Sequence, residues 1–308
     1  MTSLVRINEA KYYKFGMIGM KYLSLAGKIA LVTGSGSQIG LGRSMTIALI
    51  KAGAKVAMLD IDRTSLERTA AEIENVEGEG CLMAEICDIS DPQSVDKSVE
   101  NIVNTFGSVD ILVNNAGIMI PSEISRNSKS INNKPYISNF WDIPYSTWSK
   151  VIDVNVNGTF NMVRATVNHM IAQKWGRIIG ITTSLDTMYS KGMAPYGPSK
   201  AAHEAFIGLM ARELEGTGVT ANALIPGGTT DTNLLPVRMK DTIHTLINPE
   251  VMQSPVVWLA SEDSKLVNGQ RLIAYNWDEN LPIEKRLEKA CAPVAWPQLG
   301  NQNINAFV

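Results

Sequence analysis

The run Ile29-Ala30-Leu31-Val32-Thr33-Gly34-Ser35-Gly36-Ser37-Gln38-Ile39-Gly40-Leu41-Gly42 decides the fold. Its first five residues form an apolar stretch of strand length. Glycines follow, then a segment from Ser44 to Lys51 with helical character, and Lys55 to Leu59 reads as a second strand. Strand, glycine-rich turn, helix and strand in that order open a nucleotide-binding βαβ unit. Glycine is needed there because the backbone must turn sharply and approach a pyrophosphate, whose charge then rests at the positive end of the helix.

The second strand closes on Asp60-Ile61-Asp62. A carboxylate at this tip, about twenty residues past the glycines, accepts hydrogen bonds from an adenosine ribose and repels a 2′-phosphate. NAD is therefore favoured over NADP. Asp62 is the expected N-cap of a helix from Thr64 to Val76. The pattern then repeats: a third strand Leu82 to Ile86 runs into Cys87-Asp88-Ile89, a helix spans Asp91 to Phe106, and a fourth strand Val109 to Val113 runs into Asn114-Asn115-Ala116-Gly117. Strands and helices alternating at this length predict a doubly wound parallel sheet, Rossmann-type, in a single α/β domain. Ligands of such sheets collect at the carboxyl ends of the strands, where each of these motifs lies.

Further along, Tyr196-Gly197-Pro198-Ser199-Lys200 precedes a run of small and apolar residues that predicts a helix. Tyr196 and Lys200 then share one face, with an ammonium beneath a phenol. A nearby positive charge favours the phenolate, so the pair is expected to lower the tyrosine pKa toward the working range and make Tyr196 a general acid and base.

Composition narrows the partners. The 308 residues carry a net charge of -2, which argues against nucleic acid or an anionic membrane surface, and there is no run of eighteen apolar residues to span a bilayer. Three cysteines without close pairing point to a reducing compartment and a cytoplasmic location, and His169, His203 and His244 lack metal-ligand spacing. Residues 1–24 form an N-terminal extension with Lys interrupting its apolar part, unlike a secretory signal.

Together the Thr33-to-Gly42 turn, Asp88, Asn114-Asn115-Ala116-Gly117, Asp153-Val154-Asn155-Val156-Asn157-Gly158, Tyr196-x-x-x-Lys200 and Pro226-Gly227 resemble the short-chain dehydrogenase/reductase family, in its order, from about Lys28 to Ala274. The glycine turn departs from the family pattern. Five residues separate Gly34 from Gly40 where three are usual, which implies an insertion and a wider turn. The resemblance implies hydride transfer between an alcohol carbon and nicotinamide, with Tyr196 as acid and base, Lys200 tuning it and holding a ribose, and Asn155 maintaining a proton path. It places an oxyanion-stabilising hydroxyl at Thr183 by spacing, thirteen positions before Tyr196, or at Ser184 by residue type; Ser184 is slightly favoured. For the dinucleotide it implies Gly34, Gly36, Gly40, Leu41 and Gly42 around the pyrophosphate, Asp60 and Ile61 at the adenosine, and Asp88 and Ile89 at the adenine. Asn115, Ala116 and Gly117 then form the floor, and Pro226, Gly227, Thr230 and Thr232 lie over the nicotinamide.

The main domain is expected over 25–278, with a polar insertion at 121–140 that covers the substrate or is simply solvated, a substrate lid at 233–248 and a C-terminal tail at 279–308. A homotetramer or homodimer built on the helices of Asn155 and Tyr196 is implied, with a small alcohol or ketone as substrate. Two alternatives share the motifs: a 3-oxoacyl-thioester reductase, for which Arg126, Lys129 and Lys134 are the local basic candidates, and a non-catalytic NAD(H)-binding regulator.

Overall fold

The computed structural model describes residues 24–119, 139–235, 240 and 245–297. One eight-stranded sheet runs in the order β3-β2-β1-β4-β5-β6-β7-β8. Its strands are β1 (Ile29–Thr33), β2 (Lys55–Asp60), β3 (Leu82–Ile86), β4 (Ile111–Asn114), β5 (Gly176–Ile181), β6 (Val219–Ile225), β7 (Gln270–Ile273) and β8 (Cys291–Pro293). The first seven pair in parallel, and β8 lies antiparallel on β7. Strand order reverses direction beside β1, where β1 pairs with both β2 and β4. That switch point opens a crevice at the carboxyl ends of both strands.

Helices cover both faces. They are α1 (Leu41–Lys51), α2 (Arg63–Glu77), α3 (Pro92–Phe106), α4 (Tyr145–Ile152), α5 (Gly158–Ala172), the short α6 (Leu185–Met188), α7 (Tyr196–Glu213), α8 (Gln253–Ala260) and α9 (Ile283–Ala290). A π-helical turn, Asp153–Asn157, joins α4 to α5. Because a parallel sheet must be covered on both sides, its central strands are apolar throughout, and β1, β5 and β6 are buried at every position. Two apolar clusters result, one containing Val32, Met58, Leu49 and Trp258 and the other Leu31, Leu59, Val95 and Ile207. Alternate residues of β1 and β2 point into opposite clusters, as the pleat requires.

Asp62 caps α2 by accepting from the Ser65 amide at 3.2 Å, as expected from the sequence. The 121–140 insertion lies outside the described residues except at 139–140, as do residues 1–23 of the N-terminal extension and positions 236–239 and 241–244 of the expected lid. Arg126, Lys129 and Lys134 fall in the same gap. Among the described residues no helix is long and apolar enough to cross a membrane.

Residues 279–297 of the expected C-terminal tail are built into the domain. Trp277 stacks at 5.0 Å on Trp258 of α8, Arg286 of α9 lies 4.8 Å over the Trp277 ring, and Trp277 Nε1 donates to Ser254 Oγ at 3.2 Å. β8 then closes the β7 edge, leaving no unpaired strand of useful length there. Trp277→Ala removes the anchor of this segment and is expected to cost about 3–5 kcal/mol of stability, the range for deleting a buried aromatic. Urea unfolding monitored by circular dichroism measures it; a loss below about 1 kcal/mol would mean that the tail holds without this contact.

Candidate active site

The ends of β1 and β4 are locked together before any ligand is considered. Asn115 donates both amide protons of its side chain, to the Thr33 carbonyl at 2.8 Å and the Gly34 carbonyl at 2.9 Å. Thr33 Oγ1 in turn accepts from the Asn115 and Ala116 amides, each at 3.0 Å. Gly34 stands at φ +64°, and a Cβ there would lie 2.7 Å from Ala116 Cα. Gly42, in the first turn of α1, meets the same constraint from above, since a Cβ would fall 2.4 Å from the Gly34 carbonyl oxygen. Only bare backbone fits, and the result is a shallow cradle ahead of the α1 N-terminus, where Gly40 is the capping residue and Leu41 the first helical residue.

The wide part of the turn folds back onto β2 and α2. Gly36 donates its amide to Asp60 Oδ2 at 2.9 Å, Thr69 Oγ1 donates to the Gly36 carbonyl at 2.7 Å, and Gln38 Nε2 reaches Glu72 Oε1 at 2.5 Å. Asp60 Oδ1 also accepts the Asp62 amide at 3.1 Å. Asp60 thus lies against the glycine turn, while Ile61 beside it is largely exposed. At the β3 end, Asp88 Oδ1 accepts from the Ser90 amide and hydroxyl, at 2.9 and 2.6 Å. Ile89 is different. Its side chain is packed against Gly158 of α5 and its carbonyl accepts from Asn161 at 2.9 Å.

Asn155 sits in the π-helical turn with no exposed surface. It accepts the Ile118 amide at 2.8 Å, donates to the Ile118 carbonyl at 3.0 Å and donates to Ser199 Oγ at 2.9 Å. The side chain therefore fixes the segment after β4 to the first turn of α7. A Cβ on Gly117 would come within 3.3 Å of both Asn155 Oδ1 and Lys200 Nζ, which places these groups at one point.

Lys200 is buried, with Nζ 5.8 Å from the centre of the Tyr196 ring, and it donates at 2.8 Å to the Ile181 carbonyl at the end of β5. The expected pair is on one helix face, but the expected pKa shift is reversed. Burial pushes the Tyr196 phenol up to about 12 and the Lys200 ammonium down to about 8. Loss of water around both groups penalises each charged form, and the ammonium is turned onto a carbonyl rather than the phenol.

The two hydroxyl candidates also separate. Ser184 is the N-cap of α6: its Oγ accepts the Thr187 amide at 3.3 Å and shares a 2.8 Å hydrogen bond with Thr187 Oγ1. Thr183 Oγ1 has no hydrogen-bond partner among the described residues, while the Thr183 carbonyl accepts from Arg271 Nη2 at 3.1 Å. Beyond β6, Gly227 stands at φ +103° against Tyr275, the Pro226 carbonyl accepts the Tyr275 amide at 3.0 Å, and Thr230 and Thr232 are nearly buried. The loop they occupy is tied to the glycine turn, for Asn233 donates its amide to the Ile39 carbonyl and Nδ2 to Ser37 Oγ, both at 3.0 Å.

Sequence reasoning missed three polar residues behind this site: the buried His203 and Glu204 and the half-buried Arg271. Glu204 stands one helical turn after Lys200, and that spacing was the available signal. Among the described residues no group of His, Cys, Asp and Glu could hold a metal, and the three cysteines are free.

Glycine cradle, strand-tip carboxylate and a half-buried tyrosine beside a buried lysine at one end of a doubly wound sheet define a dinucleotide-dependent oxidoreductase. The short chain dehydrogenase family model matches residues 28–242, and the chain belongs to that family. It is 30% identical over 256 residues to a 3-oxoacyl-acyl-carrier-protein reductase of Thermotoga maritima, covering 80% of this chain and 96% of that one. A hydroxy(phenyl)methylsuccinyl-CoA dehydrogenase subunit of Thauera aromatica is also 30% identical, over 81% of this chain and 96% of its own length. Among solved structures, a gluconate 5-dehydrogenase of Burkholderia cenocepacia in complex with NADP and tartrate superposes with a TM-score of 0.69 at 26% identity, covering 82% and 96% of the two chains.

The shifted lysine gives a pH test. An unfolded lysine titrates near 10.4, so between about 8 and that value the unfolded chain binds the extra proton. The penalty of burying Lys200 is therefore full below pH 8 and is relieved as pH rises. The stability advantage of Lys200→Met over the unmutated protein should shrink by about 2 kcal/mol between pH 8 and pH 10 in urea titrations. A gap that stays constant would show that the amine is solvated.

Proposed function

We propose that this protein catalyses reversible hydride transfer between a secondary alcohol or ketone and NAD(H). The observation that carries this is the Tyr196 phenol on one helix face with a buried Lys200, whose Nζ lies 5.8 Å from the centre of the ring, at the carboxyl ends of the strands. When bound, the dinucleotide supplies the hydride donor or acceptor. The glycine cradle fits a pyrophosphate, because side chains at Gly34 and Gly42 would collide with backbone and Gly40 caps the helix N-terminus that faces it. In this reading Asp60 and Asp88 hold the adenosine end, while Asn115, Ala116, Gly117, Pro226, Gly227, Thr230 and Thr232 border the nicotinamide end. Ile89 contributes packing beneath it.

In the reducing direction Tyr196 gives its phenolic proton to the substrate oxygen as that oxygen becomes an alkoxide. Oxidation is the reverse step, with the phenolate as the base. Lys200 then offsets the negative charge left on the phenol. Thr183, whose hydroxyl is uncommitted, stabilises the developing oxyanion, and Ser184 is assigned to capping α6. Asn155 holds the segment after β4 against α7 and so keeps Lys200 facing the site.

Preference for NAD rests on Asp60, whose charge at the glycine turn disfavours a 2′-phosphate. The thioester-reductase reading keeps weight because the Thermotoga maritima relative is named for that activity. Exposed Phe160 on α5 and Leu209 on α7 support assembly of a homodimer or homotetramer on those helices.

Two measurements test the proposal. In a panel of secondary alcohols, polyols, sugar acids and 3-oxoacyl thioesters, Tyr196→Phe is expected to lower kcat at least ~10²-fold, the lower end for a general acid, while NADH affinity stays within about twofold. Turnover that survives the substitution would overturn the mechanism. For cofactor choice, NADH should bind more tightly than NADPH by fluorescence titration and Asp60→Ala should narrow the gap; equal affinities in the unmutated protein refute the preference.

A further inference from the structure

The end of β5 is gripped at three successive residues. The Ile181 carbonyl accepts from Lys200 Nζ at 2.8 Å, Thr182 Oγ1 donates to Glu204 Oε2 at 3.2 Å, and the Thr183 carbonyl accepts from Arg271 Nη2 at 3.1 Å. Two of these holds are joined, because Arg271 Nε lies 3.3 Å from Glu204 Oε1. Glu204 has no exposed surface, the Arg271 side chain is 13% exposed, and the two come from different elements, α7 and β7. Replacing a buried ion pair by apolar residues is often neutral or stabilising, so stability alone is a weak reason for one. Here the pair does something an apolar pair could not: a carboxylate and a guanidinium fix a hydroxyl and a carbonyl of adjacent residues.

We infer that Glu204 and Arg271 are positioning residues, setting the Thr182-Thr183 segment just after β5 against the helix that carries Tyr196 and Lys200. The inference rests on the proposed dehydrogenase chemistry and names what holds its oxyanion-side residue in place. Neither residue touches the reacting atoms. Their effect is geometric, since a displacement of about 1 Å between reacting groups can cost 10²-fold in rate. The groups that touch the pair are Thr182 and Thr183 just after β5 and the Ala295 amide from the segment after β8, which favours the charged carboxylate. Desolvation raises the Glu204 pKa, with Arg271 and Thr182 opposing the rise.

The test uses the full chain and the variants Arg271→Met, Arg271→Lys, Glu204→Gln and the isosteric Thr182→Val, which removes one hydroxyl and folds even where a charge variant does not. Amide hydrogen exchange is the first readout and needs no substrate. Exchange at residues 182–185 should accelerate at least tenfold in Arg271→Met or Thr182→Val, with β1 and the glycine turn unchanged. The second readout is kinetic: kcat should fall tenfold or more with NADH Kd within twofold and KM little changed, the substrate deuterium isotope effect should rise, and Arg271→Lys should recover part of the loss. Unchanged exchange at 182–185 overturns the positioning role whatever the activity. Unchanged kcat beside accelerated exchange overturns it as well. If Tyr196→Phe remains active, the dehydrogenase mechanism falls separately, and the exchange data still decide whether the pair fixes this segment.

Discussion

The buried ammonium of Lys200 is the constraint on which the rest of the site depends. A lysine almost never goes fully under protein unless something holds its charge. Here its hydrogen bond runs to a strand-end carbonyl, with no carboxylate in contact among the described residues. The position of that amine therefore follows from where β5 stops, which is set by pairing of β5 with β4 and β6 in register. The helix that bears it is placed by its first turn, where Ser199 meets Asn155, and Asn155 is placed by the backbone after β4. Strand ends, π-helical turn and helix start form one connected set, so the phenol of Tyr196 inherits its surroundings from all of them.

Most of the fold was legible because its determinants are local and periodic. Apolar runs of strand length bounded by glycine or Asp located the strands, and Asp62 announced the start of α2 by its own capping chemistry. The candidate site was legible as residue types at strand ends. What escaped were consequences of burial. Charge proximity of Tyr196 and Lys200 can be read from a four-residue spacing, but loss of solvent cannot, and loss of solvent dominates both groups. Spacing likewise pointed to Thr183 and residue type to Ser184, with Ser184 slightly favoured. A three-residue interaction with Thr187 separates them, and it depends on α6 forming after Ser184. Glu204 and Arg271 are far apart in the chain, so no local pattern joins them.

The wide glycine turn is the clearest case of a departure that the structure explains. Extra residues between Gly34 and Gly40 suggested a wider turn. Instead their polar groups are spent on neighbours: the Gly36 amide on Asp60, its carbonyl on Thr69, the Gln38 amide on Glu72, and Ser37 and Ile39 on Asn233. The insertion is therefore a strap joining β2, α2 and the loop after β6 across the top of the cradle.

That strap changes what the loop after β6 can do. Its backbone is already paired at two places, Asp231 to the Ile247 carbonyl at 2.9 Å and Ile247 to the Thr229 carbonyl at 2.9 Å, and Lys240 bonds Asp231 across it. Movement of this loop away from the site must break the Asn233 bonds to the glycine turn before it can proceed. The loop after β6 and the glycine turn are thereby tied into one unit, through the contacts of Asn233 with Ser37 and Ile39.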